Sequence, residues 1–407
     1  MKVGENMIQI KPHIEHQAVC PECNNPVDPF KVLWQGIHTC AVCKCASCQT
    51  SFIEDFRVSH AMTAPFKLNL ASGQLFQLDG DEGYKSWFGI PLQMSIFRPK
   101  YDQNLEFQVE KRLEAKKVII INCLHFLYGD ALLKLLSVEF YLREKPEFNT
   151  IVLIPKILQW MVPDGVSEIW TINIPLAKML NFYPQLDQFI YKECQRFDTI
   201  YLSKAHYQPH CPEIARYTGV EKYNYEKQDC RITFIWRDDR VWCKVNPYLH
   251  HKLDPELRRS GLRQQNSNIC CFFEQLRLRF PNAKFTIAGL GVATAFPEWI
   301  DDRRVEKYTD NLEQATCKIY GESRLVIGVH GSNMLLPSAH AGMTLDLIPD
   351  DRWGNLAQDT IYQDIDVRVA VHQYLYLPLS TDINLLVTIA SNQLKKYDEQ
   401  YKIGYTS

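Results

Sequence analysis

The sequence predicts an α/β protein: two doubly wound parallel sheets in tandem, behind a small cysteine-rich module. Three observations carry this. From residue 117 onward, short β-branched runs alternate with amphipathic stretches, the pattern of buried parallel strands and their covering helices. The alternation is interrupted once, by a polar and aromatic stretch at 203–229, and then resumes. Six of the 14 cysteines crowd between Cys20 and Cys48.

The cysteine-rich module spans 1–60. It contains Cys20-x2-Cys23, Cys40-x2-Cys43 and Cys45-x2-Cys48. Two Cys-x2-Cys turns supply four thiolates in a tetrahedron, the geometry that Zn2+ takes. A segment this short buries little apolar surface, so a bound ion is a source of its stability. The expected ligands are Cys20, Cys23, Cys45 and Cys48, because the second pair leads through a short turn into Phe52, as the knuckles of zinc ribbons do. Cys40 and Cys43 are then spare, or replace the later pair. The stretch 31–38, with Val32, Trp34 and Ile37, supplies the strand between knuckles. The other eight cysteines are scattered and read as buried free thiols.

Residues 61–116 read as a connector or small β extension, with a turn-rich patch at 79–83 and alternation at Leu75-Phe76-Gln77-Leu78. The first doubly wound half covers 117–225. Its strands fall at 118–121, 151–154, 168–172 and 199–202. One amphipathic helix carries Leu132, Leu136 and Phe140 on one stripe, with Leu135, Val138 and Leu142 beside it, and ends at Pro146. The stretch 203–229 reads as an interdomain connector.

The second half covers 226–390. Its strands fall at 231–236, 284–288, 325–329 and 343–348. A helix at 271–280 has Phe273, Leu276 and Phe280 in phase, and Asp310-x-x-Glu313 resembles a capping box opening a helix to about 322. Residues 391–407 form a tail. Two Rossmann-like halves in tandem is the architecture this order implies.

Composition narrows function. Lys and Arg total 45 against 47 Asp and Glu, a formal net charge of -2. Broad charge-driven nucleic-acid binding needs a basic surplus, so the cysteine module is read as structural or docking. The most apolar stretch, 118–136, is broken by Asn122, His125, Gly129, Asp130 and Lys134, too often for a bilayer span. The N-terminus has no apolar core of a signal peptide, so a cytoplasmic protein is expected.

Ligands of open parallel sheets bind beyond the carboxyl ends of the strands, and three ends here carry chemistry. At His330-Gly331-Ser332-Asn333, Gly331 permits a sharp turn, Ser332 and Asn333 can donate to an anion, and His330 adds a ring donor. At Arg237-Asp238-Asp239-Arg240, Arg237 or Arg240 can grip a diphosphate with two parallel hydrogen bonds. At His125–Asp130, Asp130 sits in the first turn of a helix and is a candidate general base. Read blandly, these are a capped turn with a core histidine, a solvated salt-bridge turn and a helix cap. Facing one another across a cleft, they suit transfer of a sugar from a nucleotide diphosphate, whose developing charge fixed donors stabilise.

The segment 322–342 (ESRLVIGVHGSNMLLPSAHAG), followed by Thr344-Leu345-Asp346-Leu347-Ile348-Pro349, resembles the donor-binding segment of glycosyltransferase family 61, and related segments occur in GT-B fucosyltransferases. The strand-to-arginine turn at Arg237 is similar to the phosphate-binding turn of those enzymes, although it lacks their His-x-Arg form. The Gly129-Asp130 helix entry is similar to that of heptosyltransferases, whose aspartate is the base. The resemblance covers about 117–390. It implies a GT-B fold, a nucleotide-sugar donor, inverting displacement without a catalytic metal, and a glycan, lipid or protein hydroxyl as acceptor. It assigns the diphosphate to Arg237 and the Ser332–Asn333 turn, a donor contact to His330 and the base to Asp130; Arg240 and Gly331 join the donor-binding candidates from the reading of the residues. The alternative is a catalytically inactive scaffold of the same fold that docks partners through its zinc module.

Overall fold

The computed structural model describes residues 6–102, 104–204, 212–226, 229–243, 254–291, 294–356 and 373–404. Cys211 and the last residues of the expected tail lie outside them. The protein is mixed α/β, and its chain divides into two compact units, Met1–His210 and Cys211–Ser407. Among the described residues no helix is long and apolar enough to cross a membrane.

The first unit opens with β1 (Met7–Lys11), the hairpin β2 (Ala18–Val19) and β3 (Pro26–Val27), and an antiparallel meander: β4 (Lys31–Trp34), β5 (Thr39–Lys44), β6 (Ser51–Asp55), β7 (Phe66–Asn69) and β8 (Leu75–Gln77). There follow α1 (Ile90–Phe97), β9 (Phe107–Lys111), β10 (Lys117–Asn122), α2 (Tyr128–Leu136), α3 (Val138–Glu144), β11 (Asn149–Pro155), β12 (Glu168–Ile172), α4 (Pro184–Cys194) and β13 (Thr199–Ser203). The main sheet runs β1-β13-β10-β11-β12-β9. Its four inner strands are parallel, and β1 and β9 close the two edges antiparallel.

The inner strands form where the β-branched runs lie: Val118, Ile119, Ile120 and Ile121 are all fully buried. The meander packs onto this sheet, since Trp34, Phe52, Phe56 and Phe66 share one buried cluster with Val118, Ile120, Trp170 and Phe197. Asp187 of α4 pins β4 from the other side, accepting from the Trp34 backbone N–H and the Lys31 ammonium, each at 2.9 Å. The single amphipathic helix expected through Leu142 is instead two helices. Ser137 breaks it by donating its hydroxyl back to the Lys134 carbonyl at 2.6 Å, in competition with the helical ladder.

The second unit contains α5 (Ile214–Thr218), β14 (Arg231–Trp236), α6 (Pro255–Arg279), β15 (Lys284–Leu290), β16 (Asp301–Val305), α7 (Asp310–Gly321), β17 (Ser323–Val329), α8 (Leu335–His340), β18 (Met343–Ile348), β19 (Tyr374–Pro378) and α9 (Ile383–Gly404). Its sheet runs β16-β15-β14-β17-β18-β19, and every neighbouring pair is parallel. From β14 the chain winds outward to β16, then returns to the other side of β14 with β17. The order therefore reverses between β14 and β17, the point where open parallel sheets hold ligands.

Other details differ from the sequence pattern. The helix expected from 271 begins at Pro255, where Asp254 caps it by accepting from Glu256 N–H and Leu257 N–H. Its first turns are polar and show no apolar stripe. Thr309, rather than Asp310, caps α7. The expected connector contains α5, whose Thr218 hydroxyl meets His340 Nε2 at 2.9 Å, and Tyr223 N–H donates to the His340 carbonyl at 2.7 Å.

Candidate functional site

Two Cys-x2-Cys knuckles bring four thiols together. Cys20 and Cys23 lie on the turn between β2 and β3, and Cys45 and Cys48 on the turn between β5 and β6. The turns are built alike. Cys20 N–H bonds the Asn25 carbonyl and Asn24 N–H returns to Cys20; Cys45 N–H bonds the Thr50 carbonyl and Gln49 N–H returns to Cys45. The residue after each second cysteine, Asn24 or Gln49, is left-handed, with φ of 58° and 59°. The sulfurs of Cys20 and Cys48 stand 3.4 Å apart and those of Cys23 and Cys45 3.5 Å apart. All four sulfurs lie within 4.8 Å of one another, a group that can hold a metal ion. Sulfurs at ~2.3 Å from a tetrahedral ion would sit ~3.8 Å apart, so little movement is needed.

The spare pair is set apart from this group. Cys40 and Cys43 are fully buried within β5. Burial pushes the Cys43 thiol up to about 12 and that of Cys40 well above its ordinary value, so both stay protonated. Cys48, by contrast, is drawn down to about 6 by hydrogen bonds from the Thr50 hydroxyl and backbone.

In the second unit, the two strand ends at the reversal of order meet. Arg237, just past β14, donates from Nη1 to Asn333 Oδ1, just past β17, at 2.5 Å. Arg240 Nη1 donates to the His330 carbonyl. Gly331 has a φ of 148°, and a Cβ there would lie 2.6 Å from Arg237 Nη1 and 2.9 Å from Arg240 Nη1. Only glycine lets both guanidinium groups approach the turn. Behind them, buried Gln265 of α6 accepts from Trp242 N–H and donates to the Arg237 carbonyl, both at 2.9 Å, which fixes the arginine loop.

Charge in this turn is partly matched. The Arg237 fork also holds Asp239 through two bonds of 2.6 Å. The Asp239 side chain is still 62% exposed, and its partial desolvation is outweighed by the Arg237 bonds, which keep its carboxyl below the usual range. Ser332 is exposed, and Asn333 Nδ2 is buried with no partner among the described residues. An incoming anion would find Arg237, Arg240, Ser332 and Asn333 around it, in competition with Asp239. His330 is only 1% exposed, and its Nδ1 bonds Asp346 Oδ2 at 2.9 Å. The Tyr374 hydroxyl donates to the same oxygen at 2.7 Å.

Asp130 belongs to the first unit, in the first turn of α2 as expected. Its Oδ2 lies 3.5 Å from His125 Nδ1, and its side chain keeps 22% of its exposure. Burial raises its carboxyl above the usual range, against the pull of nearby Lys134. Lys134 is fully enclosed, donates to the Leu124 carbonyl at 2.8 Å, and is drawn by burial down to about 8. Burial also holds His125 well below its ordinary value. His125, in the loop after β10, and Asp130 and Lys134, on α2, thus form one group of three shifted residues.

The sequence pattern did not point to Asp346, Tyr374, Gln265 or Lys134 as site residues. Asp346 had a visible signal, since a carboxylate inside the apolar run 343–348 must find partners when buried. A depression of about 870 Å3 in the first unit, walled by Lys11, Lys31, Trp34 and Asp187, includes none of the candidate residues. The chain matches no known family, and no curated protein or solved structure is similar enough to it to count as a match.

Proposed function

We propose that this chain is a glycosyltransferase that moves a sugar from a nucleotide-diphosphate donor to a hydroxyl of a glycan, lipid or protein acceptor. The observation that carries this reading is the meeting of Arg237 and Asn333 across the reversal of strand order. A six-stranded parallel sheet in the order 3-2-1-4-5-6 is that of Rossmann-type nucleotide-binding units, which supports assigning the donor to the second unit. The first unit departs from that form, with four parallel strands and two antiparallel edges.

In the proposed reaction the acceptor oxygen attacks the anomeric carbon and the bond from that carbon to the phosphate oxygen breaks. The electron pair leaves with the diphosphate, to which Arg237, Arg240 and Ser332 donate hydrogen bonds. The acceptor proton passes to a general base, the role expected of Asp130 from the sequence; burial raises the Asp130 carboxyl. Asp346 holds the His330 ring, and His330 fixes Arg240 through its carbonyl. The four cysteines hold a structural Zn2+. None of the described cysteines is in a disulfide, which suits a reducing compartment, the cytoplasm in this proposal.

Thermal unfolding of the chain with UDP, GDP or ADP tests the reading. At least one should raise Tm, and Arg237→Ala should abolish the rise. No shift with any nucleoside diphosphate would overturn it.

The two-point hold of Asp239 on Arg237, with His330 buried, favours a second reading: an inactive scaffold that docks partners through its zinc module. Partner binding should then survive Asp130→Asn and His330→Ala and be lost with Cys20→Ser or Cys48→Ser. Binding that persists in the cysteine variants would rule it out.

A further inference from the structure

The hairpin of β5 and β6 carries the Cys45–Cys48 knuckle at its closed end. At its open end, about 20 Å away along the strands, stand His38, which enters β5, and Asp55, the last residue of β6. His60, from the short turn Ser59–Met62, completes a group whose ligand atoms lie within 4.8 Å of one another. We propose that His38, Asp55 and His60 form a second metal site, holding a Zn2+ ion through two imidazole nitrogens and a carboxylate.

Three lone pairs converge at this point. His38 Nδ1 lies 2.9 Å from Asp55 Oδ1, and His60 Nε2 lies 3.2 Å from the same His38 Nδ1. A single ring nitrogen cannot serve both neighbours. If it carries a proton for Asp55, that proton is not available to His60 Nε2. If it accepts from His60, its lone pair faces the carboxylate. An ion among the three atoms removes the conflict, because each then offers a lone pair. Tetrahedral ligands at ~2.0–2.1 Å from Zn2+ stand ~3.3 Å apart, close to the spacing here.

Three protein ligands leave the fourth position of a tetrahedral ion open, and the site around it is enclosed. His38, Asp55 and His60 are 1%, 2% and 3% exposed. His38 Nε2 and His60 Nδ1, the outer nitrogens, are buried with no partner among the described residues, so the polar contacts of both rings there lie at the inner atoms. Asp55 is itself oriented, its Oδ2 accepting from Phe66 N–H at 3.0 Å and its Oδ1 from the Cys40 thiol at 3.3 Å, as the carboxylates of metal sites are. Ser59, next to His60, is held at a φ of 56°, a conformation that a non-glycine residue keeps only where its surroundings impose it. The His60 ring is stacked on Phe88 at 4.3 Å, which sets its plane. The proposal does not depend on the transferase reading.

The test is the metal content of the full chain, with X-ray absorption at the zinc edge. The wild type should hold two zinc ions per chain, with both sulfur and nitrogen or oxygen neighbours. Cys23→Ser combined with Cys48→Ser should halve the zinc and leave only nitrogen and oxygen neighbours. His60→Gln should halve it and leave only sulfur. One ion per chain with sulfur neighbours alone in the wild type would overturn the proposal, and this reading needs no variant to fold.

Discussion

The imidazole of His330 and the carboxylate of Asp346 share a hydrogen bond of 2.9 Å where neither side chain reaches water. Asp346 sits in mid-strand on β18, opposite Gly328 of β17 and Tyr376 of β19. Through His330, just past the carboxyl end of β17, and Tyr374, the first residue of β19, it ties three strands together. A buried carboxylate is tolerated only with such donors. Asp346→Ala should therefore cost about 3 kcal/mol, because it strands the donors of both His330 and Tyr374. Asp346→Asn should cost less, about 1 kcal/mol, since an amide oxygen still accepts. Denaturant midpoints of the two variants check the ranking, and equal stability of wild type and Asp346→Ala would contradict it.

Asp239 competes with any anion for Arg237. Its side chain is 62% exposed, so the pair itself is worth at most about 1 kcal/mol. Asp239→Ala should then free the guanidinium and tighten nucleoside diphosphate binding up to about fivefold, while Arg237→Ala abolishes it. Isothermal titration with the diphosphate that shifts Tm measures both. Weaker binding in Asp239→Ala would mean that the carboxylate positions Arg237 for its ligand and does not compete with it.

Among the six clustered cysteines the metal ligands separate by position. Cys23→Ser should remove the sulfur-bound zinc and lower Tm, because the hairpins β2–β3 and β5–β6 lose their common anchor. Cys43→Ala, inside β5, should keep the full zinc content and cost only the packing of a small buried side chain, about 1 kcal/mol. Zinc release by a chelator, followed against protein concentration, distinguishes the two. Loss of zinc in Cys43→Ala with retention in Cys23→Ser would invert the ligand assignment.

The sequence made some of this legible for physical reasons. A parallel strand buried on both faces must be apolar throughout, so the runs at 118–121, 231–236 and 325–329 stood out. The edge strands did not. β16 reads Asp-Asp-Arg-Arg-Val, and it is held because the Arg304 guanidinium lies over the rings of Trp236 and Phe296, at 4.7 and 4.6 Å. The knuckle cysteines were legible because their spacing is local. His38, Asp55 and His60 come from two strand ends and a turn, and their meeting depends on the β5–β6 register, which no spacing reveals. Arg237 and Asn333 stand 96 residues apart, and their contact is likewise a product of β14 pairing beside β17.

The stability of the second unit should depend on pH through His340. Its Nε2 meets the Thr218 hydroxyl at 2.9 Å and its Nδ1 the Leu336 carbonyl at 2.9 Å, contacts that a neutral ring with its proton on Nδ1 satisfies. Burial holds its pKa at about 4, below the ordinary 6.5. Between those values the unfolded chain binds a proton that the folded chain refuses. Stability is therefore complete above about 6.5, falls as pH drops, and levels off below about 4. The full loss from this one group is on the order of 3 kcal/mol, at 1.36 kcal/mol for each pH unit. His340→Gln keeps an amide donor and acceptor without a titrating group, so it should flatten this part of the profile while lowering stability at neutral pH. Denaturant unfolding of both proteins from pH 4 to 7 measures the slope, and an identical slope in the variant would remove His340 as its source.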